Sequence, residues 1–438
     1  MNNKGFTLIE LLAVVILLIT ISLFVMPKIV DVIKEGDKTK ENITKNKIIE
    51  AAKEYTSNYD TNFLNDLVNV GDSKYIDKEE LINNKLLDTK DIGDIPFIKV
   101  KVILKEDNKI EYIIVDSATV SRPNYGNAVD YINNLYDIED FRKEDGLKKD
   151  NTSDANIRYE GANPNNYVKF NDELWRIIGV FGDNIKLVRS EELGKLSWDI
   201  SDSSVNNGWG VNEWSQADLK EYLNTMYYGG TSVTCYVDGN NSTTTCPTGS
   251  LNSTSKTMIN NYTWNTGAIN IEDTTIVNPE TFALNTVPFY NAERGSVNGK
   301  ICTSGNECND TVTRTTTWQG YVALPYVTDW AYASSETACA TNMYDGYDAA
   351  NDNYDNMTCK KNNWMHHGST MDEAMWMLSP LARSGYAYNV WLVFGGGLVD
   401  GGRYASIALS VFPSVYLNTE VKITSGSGTS SDPYILEL

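Results

Sequence analysis

The sequence predicts an α+β protein in two parts: a long N-terminal helix with a small antiparallel sheet, then a larger α+β domain. Three observations carry this. Phe6 to Met26 is an apolar run, and the helical pattern continues in amphipathic form to about Asn58. Phe97–Leu104 and Ile110–Val115 flank a polar turn and form a hairpin. Near Asn156 the composition shifts to Trp, Tyr, Gly, Thr and Asn, and short apolar strands begin.

The N-terminal run of about 21 residues would span roughly 31 Å as a helix, about one bilayer core. Lys4 precedes it, so its tail should point outward. Glu10 is the one charge inside it. A carboxylate there costs roughly 2.5–3.5 kcal/mol, and a plain anchor has no reason to carry one. No small-residue site follows the run, as a secretory signal would require. Lys4-Gly5 followed by Phe6-Thr7-Leu8-Ile9-Glu10-Leu11-Leu12 resembles the type IV prepilin signal. The resemblance implies cleavage after Gly5 by a prepilin peptidase and N-methylation of Phe6. It also implies that Glu10 meets the free N-terminus of a neighbouring pilin subunit, where attraction in low dielectric offsets its burial. Pro27 falls where many family members carry a helix-loosening proline. The implied parts are a leader (1–5), a membrane and filament helix (6–58) and a pilin-like head (59–120).

Within that head, Asp77 is a plausible N-cap with Glu80 three residues on, opening a short helix that ends near Leu87. The hairpin follows, and no catalytic cluster accompanies it. Residues 121–155 read as a linker: Arg122 to Gly126 is turn-rich, Ala128 to Leu135 suits a short helix, and Phe141 to Asp154 is largely charged or polar.

Residues 156–438 form the second domain. Tyr167–Phe170, Leu174–Phe181 and Ile185–Arg189 read as strands, with a turn at Asn171-Asp172. Trp198, Trp209 and Trp214 precede a helix near Leu219–Asn224 and read as aromatic core. Trp376-Met-Leu-Ser-Pro380, the turn Gly395-Gly-Gly397 and the closing Val411-Phe-Pro413…Leu417 resemble a C-type-lectin-fold domain. The nearest types are those related to formylglycine-generating enzymes and to the variable proteins of diversity-generating retroelements. One departure is Phe412, where that family often has an arginine.

The chemistry points to recognition. A net charge of −21 argues against binding nucleic acid backbones, and 26 tyrosines suit a contact surface. All six cysteines lie beyond residue 230. They group as Cys235/Cys246, Cys302/Cys308 and Cys339/Cys359; no C-x-x-C occurs, so disulfides in an oxidising place are expected, with sequential pairing the simplest. Asp345, Asp348, Asp352 and Asp355 crowd one loop, but their register does not fit an EF-hand, and a solvated acidic loop is the preferred reading over calcium. His366 and His367 are adjacent and cannot form one imidazole cluster. No hydrolase, P-loop or zincin motif is present, so no enzyme, metal or cofactor is expected. Ser384, Tyr386, Tyr388, Asn389, Trp391, Asp400, Arg403, Tyr404 and Ser406 cluster on the Gly-linked segments. In the retroelement relatives this region displays the binding residues, and strand alternation turns about half of them inward.

The resulting expectation is a pilin-like subunit, minor or tip, of a type IV pilus. It would be anchored by a single membrane pass and then exposed on an extracellular filament, presenting a cell-adhesion domain to a glycan or protein. The alternative is a pseudopilin of a type II secretion or DNA-uptake system with a structural C-terminal domain.

Overall fold

The computed structural model describes residues 42–438 apart from 68–69, 71–72, 93–96, 117–121, 202–207, 239–241, 282, 295, 298–299, 302–311, 313, 344–356, 370–372 and 384. Two compact units divide the chain, the second beginning at Arg122.

In the first unit, helix α1 covers residues 42–54 and passes into a π-turn at Tyr55–Tyr59. Ile48, Ala51 and Ala52 recur on its buried face, while Glu50, Lys53 and Glu54 are exposed. It shares one apolar core with the antiparallel sheet β1 (Ser73–Asp77), β2 (Phe97–Leu104) and β3 (Ile110–Asp116). Val100, Val102 and Leu104 alternate into that core, as a one-sided sheet requires. Helix α2 (Lys78–Asn83) starts where expected: the Asp77 N–H donates to Glu80 Oε2 at 3.1 Å.

The expected long N-terminal helix and its membrane pass are corrected here. Among the described residues no helix is long and apolar enough to cross a membrane. The charges on α1 rule it out of a bilayer. The single-pass membrane placement, the filament surface that followed from it and the transmembrane assignment are overturned on this ground. Gly5, Phe6, Glu10 and Pro27 lie outside the described residues.

The larger unit carries a ten-stranded sheet. Its centre is an antiparallel meander of β4 (Tyr167–Phe170), β5 (Glu173–Phe181) and β6 (Asn184–Arg189). Asn171 and Asp172 both have positive φ, 58° and 60°, which suits a two-residue turn between twisted strands. From Trp175 to Phe181 every residue of β5 is buried, so both faces of the sheet are covered. A second sheet contains β7 (Lys195–Ser197), β8 (Ile269–Asn270), β9 (Ala374–Ala382), β10 (Asn389–Phe394), β11 (Val399–Tyr404) and β12 (Ala408–Ser410). In space the order is β7–β12–β9–β10–β11, with β8 parallel to β9, so β11 is an edge. Strand β13 (Ser414–Tyr416) then returns to the main sheet beside β6, and β14 (Tyr434–Glu437) runs parallel to β4.

This is a mixed α/β arrangement, not the expected α+β succession ending in a C-type-lectin-like domain from residue 156. The ten-stranded sheet recruits Gly126–Asn127 and Leu147–Lys149, from the stretch whose polar composition suggested a linker. Between these strands, helix α3 (Ala128–Asp137) is capped by Asn127, whose side chain accepts from Val129 N at 3.0 Å.

Helix α4 covers Thr286–Glu293, and helix α5 (Val327–Tyr332) contributes Asp329 to a buried ion network. Arg158 donates to Asp150 at 2.8 Å and to Asp329 at 2.7 Å, and Lys186 reaches Asp329 at 2.5 Å. Burial would raise the Asp329 carboxyl, but Lys186 and Arg158 together hold it below its ordinary value. Burial also pushes the Lys186 ammonium down to about 8, against the pull of Asp329.

Candidate recognition site

At the edge hairpin of the second sheet lies a cleft of about 380 Å³. Tyr386, Asn389, Trp391, Asp400 and Tyr404 line it from the β10–β11 side. The segment after β8 closes it with Ile271, Val277 and Leu284, an apolar wall.

Asn389 and Trp391 are two residues apart on β10 and therefore share a face. Each is only 3% exposed. Among the described residues Asn389 Oδ1 and Trp391 Nε1 have no hydrogen-bond partner. An acceptor and a donor thus stay unpaired on two residues that line the cleft, at a desolvation cost of about 1–3 kcal/mol each. Other indoles, such as Trp198, Trp214 and Trp330, also lack a partner, but they are fully buried rather than cleft-lining. Phe289 meets Trp391 edge-on at 4.8 Å and fixes its ring. Across the hairpin, a Cβ on Gly401 would stand 3.0 Å from Trp391 Cε2 and 3.1 Å from Leu381 Cδ1, so glycine lets β11 lie directly against the indole.

The rim is aromatic. Tyr386 and Tyr404 are 36% and 37% exposed. Trp209 stacks on Tyr404 with centroids 4.6 Å apart and meets Tyr388 at 4.7 Å. The Arg383 guanidinium covers the Tyr386 ring at 4.4 Å. Trp209 reaches this place on a loop gathered by Asp199. The Asp199 carboxylate accepts from Ser201 N at 2.9 Å, from Ser201 Oγ, and from Val211 N at 2.7 Å. Burial raises the Asp199 carboxyl to about 6 despite those donors. Gly210 turns the loop with φ +83°, where a Cβ would strike the Asp199 carbonyl at 2.2 Å. Behind the cleft, Asn212 Nδ2 donates to the carbonyls of Leu381 at 2.8 Å and Asn389 at 2.5 Å. The buried Arg314 guanidinium in turn holds Asn212 Oδ1, through Nε at 3.1 Å and through Nη2. The wall is thus set from behind by side chains far away in sequence.

Of the residues singled out from sequence, five line the cleft: Tyr386, Asn389, Trp391, Asp400 and Tyr404. Tyr388 stands behind the rim, against Trp209 and Tyr404. Arg403 is exposed over Phe394 at 5.2 Å, and Ser406 is buried with its N–H on the Trp209 carbonyl; neither lines the cleft. Ser384 lies outside the described residues. Sequence reasoning missed Trp209, which it placed in the core beside Trp198 and Trp214. The flanking Gly208 and Gly210 were the available signal for a loop.

Two disulfides join Cys235 to Cys246 and Cys339 to Cys359, with Cα separations of 5.2 and 5.5 Å. Cys302 and Cys308 lie outside the described residues, as do Asp345, Asp348, Asp352 and Asp355. No group of three or more potential metal ligands occurs among the described residues. His366 Nε2 lies 2.9 Å from the Gly395 carbonyl, and His367 stacks on Phe412 at 4.3 Å. Burial depresses the His367 imidazole to about 4, so it packs as a neutral ring against Phe412. No family model matches the chain, and neither a curated protein nor a solved structure does.

Proposed function

We propose that the larger unit is a recognition module without catalytic activity, and that the β10–β11 cleft reads a hydroxyl-bearing ligand on a glycan or a protein. The observation that carries this is the unpaired couple of Asn389 Oδ1 and Trp391 Nε1 on the cleft wall. A hydroxyl both donates and accepts, so it matches the chemistry of either atom. The exposed rings of Tyr386 and Tyr404 add contact area at small entropic cost, as in other adhesive surfaces. The test is a glycan and protein array probed with the full chain, followed by Asn389→Ala and Tyr404→Ala on the strongest hit. Each variant should bind about tenfold more weakly, the worth of roughly one good hydrogen bond or ring contact. An array without hits, or variants that bind like the parent while remaining folded, would refute the assignment.

A second reading concerns assembly and is favoured by the motif Lys4-Gly5-Phe6…Glu10. It supports processing by a prepilin peptidase and incorporation among pilin subunits, of a type IV pilus or of a secretion or DNA-uptake system. Intact-mass measurement of the chain from its native cells should find an N-terminus at methylated Phe6. A chain retaining residues 1–5 would dismiss this reading.

A further inference from the structure

A second cavity, of about 850 Å³, lies in the larger unit and shares no lining residue with the cleft. Its wall is aromatic on one side. Tyr262 stacks on Tyr416 with centroids 3.7 Å apart, and Phe181 meets Tyr416 edge-on at 6.0 Å. The polar lining includes Asp154, Asn156, Asn265 and Asp273, and its cation is Arg294.

Arg294 follows α4, and its side chain is only 18% exposed. The guanidinium lies 3.2 Å over the Tyr290 ring, and Nη1 donates to the Tyr290 carbonyl at 3.1 Å. Its one carboxylate contact among the described residues, to Glu293 Oε2, is long at 3.4 Å. The reason is competition: Glu293 already accepts from Thr328 N at 3.2 Å, from Thr328 Oγ1 and from Ser379 Oγ at 3.2 Å. No acceptor for Arg294 Nε or Nη2 is found among the described residues. The contrast with Arg158, paired to two carboxylates at 2.8 and 2.7 Å, is direct. A stacked, largely desolvated and under-paired guanidinium presents the planar fork that carboxylates fit.

We infer that this cavity binds an acidic saccharide unit, with its carboxylate on Arg294, its ring against Tyr262 and Tyr416, and its hydroxyls on Asn265 and the neighbouring acids. A bare anion is a poorer match, because it offers no hydroxyl to offset the repulsion of Asp154 and Asp273 in the same lining. Those carboxylates and the amides are instead natural acceptors for hydroxyls. The volume is that of a sugar-sized or larger ligand, not of a single ion. The inference stands independently of what the cleft recognises.

Titration calorimetry of the full chain with D-glucuronate, D-galacturonate and N-acetylneuraminate tests it, with D-glucose and sulfate as controls. At least one acid should bind, with D-glucose about tenfold weaker or worse, and sulfate should show no heat. Arg294→Gln should abolish the preference for the acid, and Arg294→Lys should restore part of it through charge without the fork. Should Arg294→Gln fail to fold, Asn265→Leu, which intrudes on the cavity and leaves the cation, should cut affinity about tenfold. Failure of all three acids to bind, equal binding of sulfate, or an undiminished acid preference in folded Arg294→Gln would overturn the inference, as would undiminished affinity in Asn265→Leu.

Discussion

In the core of the larger unit Asp329 takes Lys186 at 2.5 Å and Arg158 at 2.7 Å, whereas in the cleft lining Asn389 Oδ1 and Trp391 Nε1, nearly as deeply buried, have no partner among the described residues. Both arrangements desolvate polar groups. In the first the protein itself supplies the counter-charges, and the network holds together β6, α5 and the segment around residue 158. In the second the cost is left standing, and a frame of Asn212, Arg314 and Phe289 keeps the two atoms in place. Burial alone therefore does not mark a candidate binding group, and neither does a missing partner, since Trp198, Trp214 and Trp330 lack one in the core; Asn389 and Trp391 combine a missing partner with a place in the cleft lining.

The sharpest way to break the comparison is Asp329→Ala. It leaves Arg158 and Lys186 buried without their shared partner, and urea unfolding should show a loss of about 3–5 kcal/mol. A loss below about 1 kcal/mol would mean that the network carries no structural weight.

Titration probes the same core more gently. Burial lifts the Glu293 carboxyl from 4.5 to about 7, against the pull of Arg294. Because the folded value exceeds the unfolded one, its contribution to stability is fully present below pH 4.5 and is lost as pH rises through about 7. Thermal melts of Glu293→Gln against the parent should therefore diverge across that window, with the variant's profile flatter. Parallel profiles would show that Glu293 does not titrate there.

The smallest effect is expected at the cleft. Gly401→Ala brings a methyl to 3.0 Å from the Trp391 ring, so the indole must shift. Stability should fall by about 1 kcal/mol, as overpacking at a partly yielding site does, while affinity for the cleft's array hit drops several-fold. Unchanged affinity with the same stability loss would separate the Trp391 position from recognition.

Local patterns foretold local structure. The apolar run at Leu174–Phe181 became a buried strand, Asn171-Asp172 became the turn, and Asp77 with Glu80 became the helix start. In each case the determining contacts lie within a few residues. Five of the nine cleft candidates came together because β10 and β11 are neighbours in sequence as well as in space. What stayed hidden depends on distant pairing. Trp209 finds Tyr404 only after the Asp199 and Ser406 backbones join their segments. The ion network draws on residues 150, 158, 186 and 329, each of which reads alone as an ordinary surface charge. The stretch 126–149 looked like a linker because its strands are only two and three residues long and its composition is polar.

The knot that Asp199 ties has an engineering meaning. Its carboxylate grips Ser201 at one side and Val211 at the other, so the chain between leaves and re-enters the frame at fixed points. Trp209 hangs from that knot and stacks on Tyr404, so the aromatic rim can be retuned at residue 199 without touching a cleft-lining side chain.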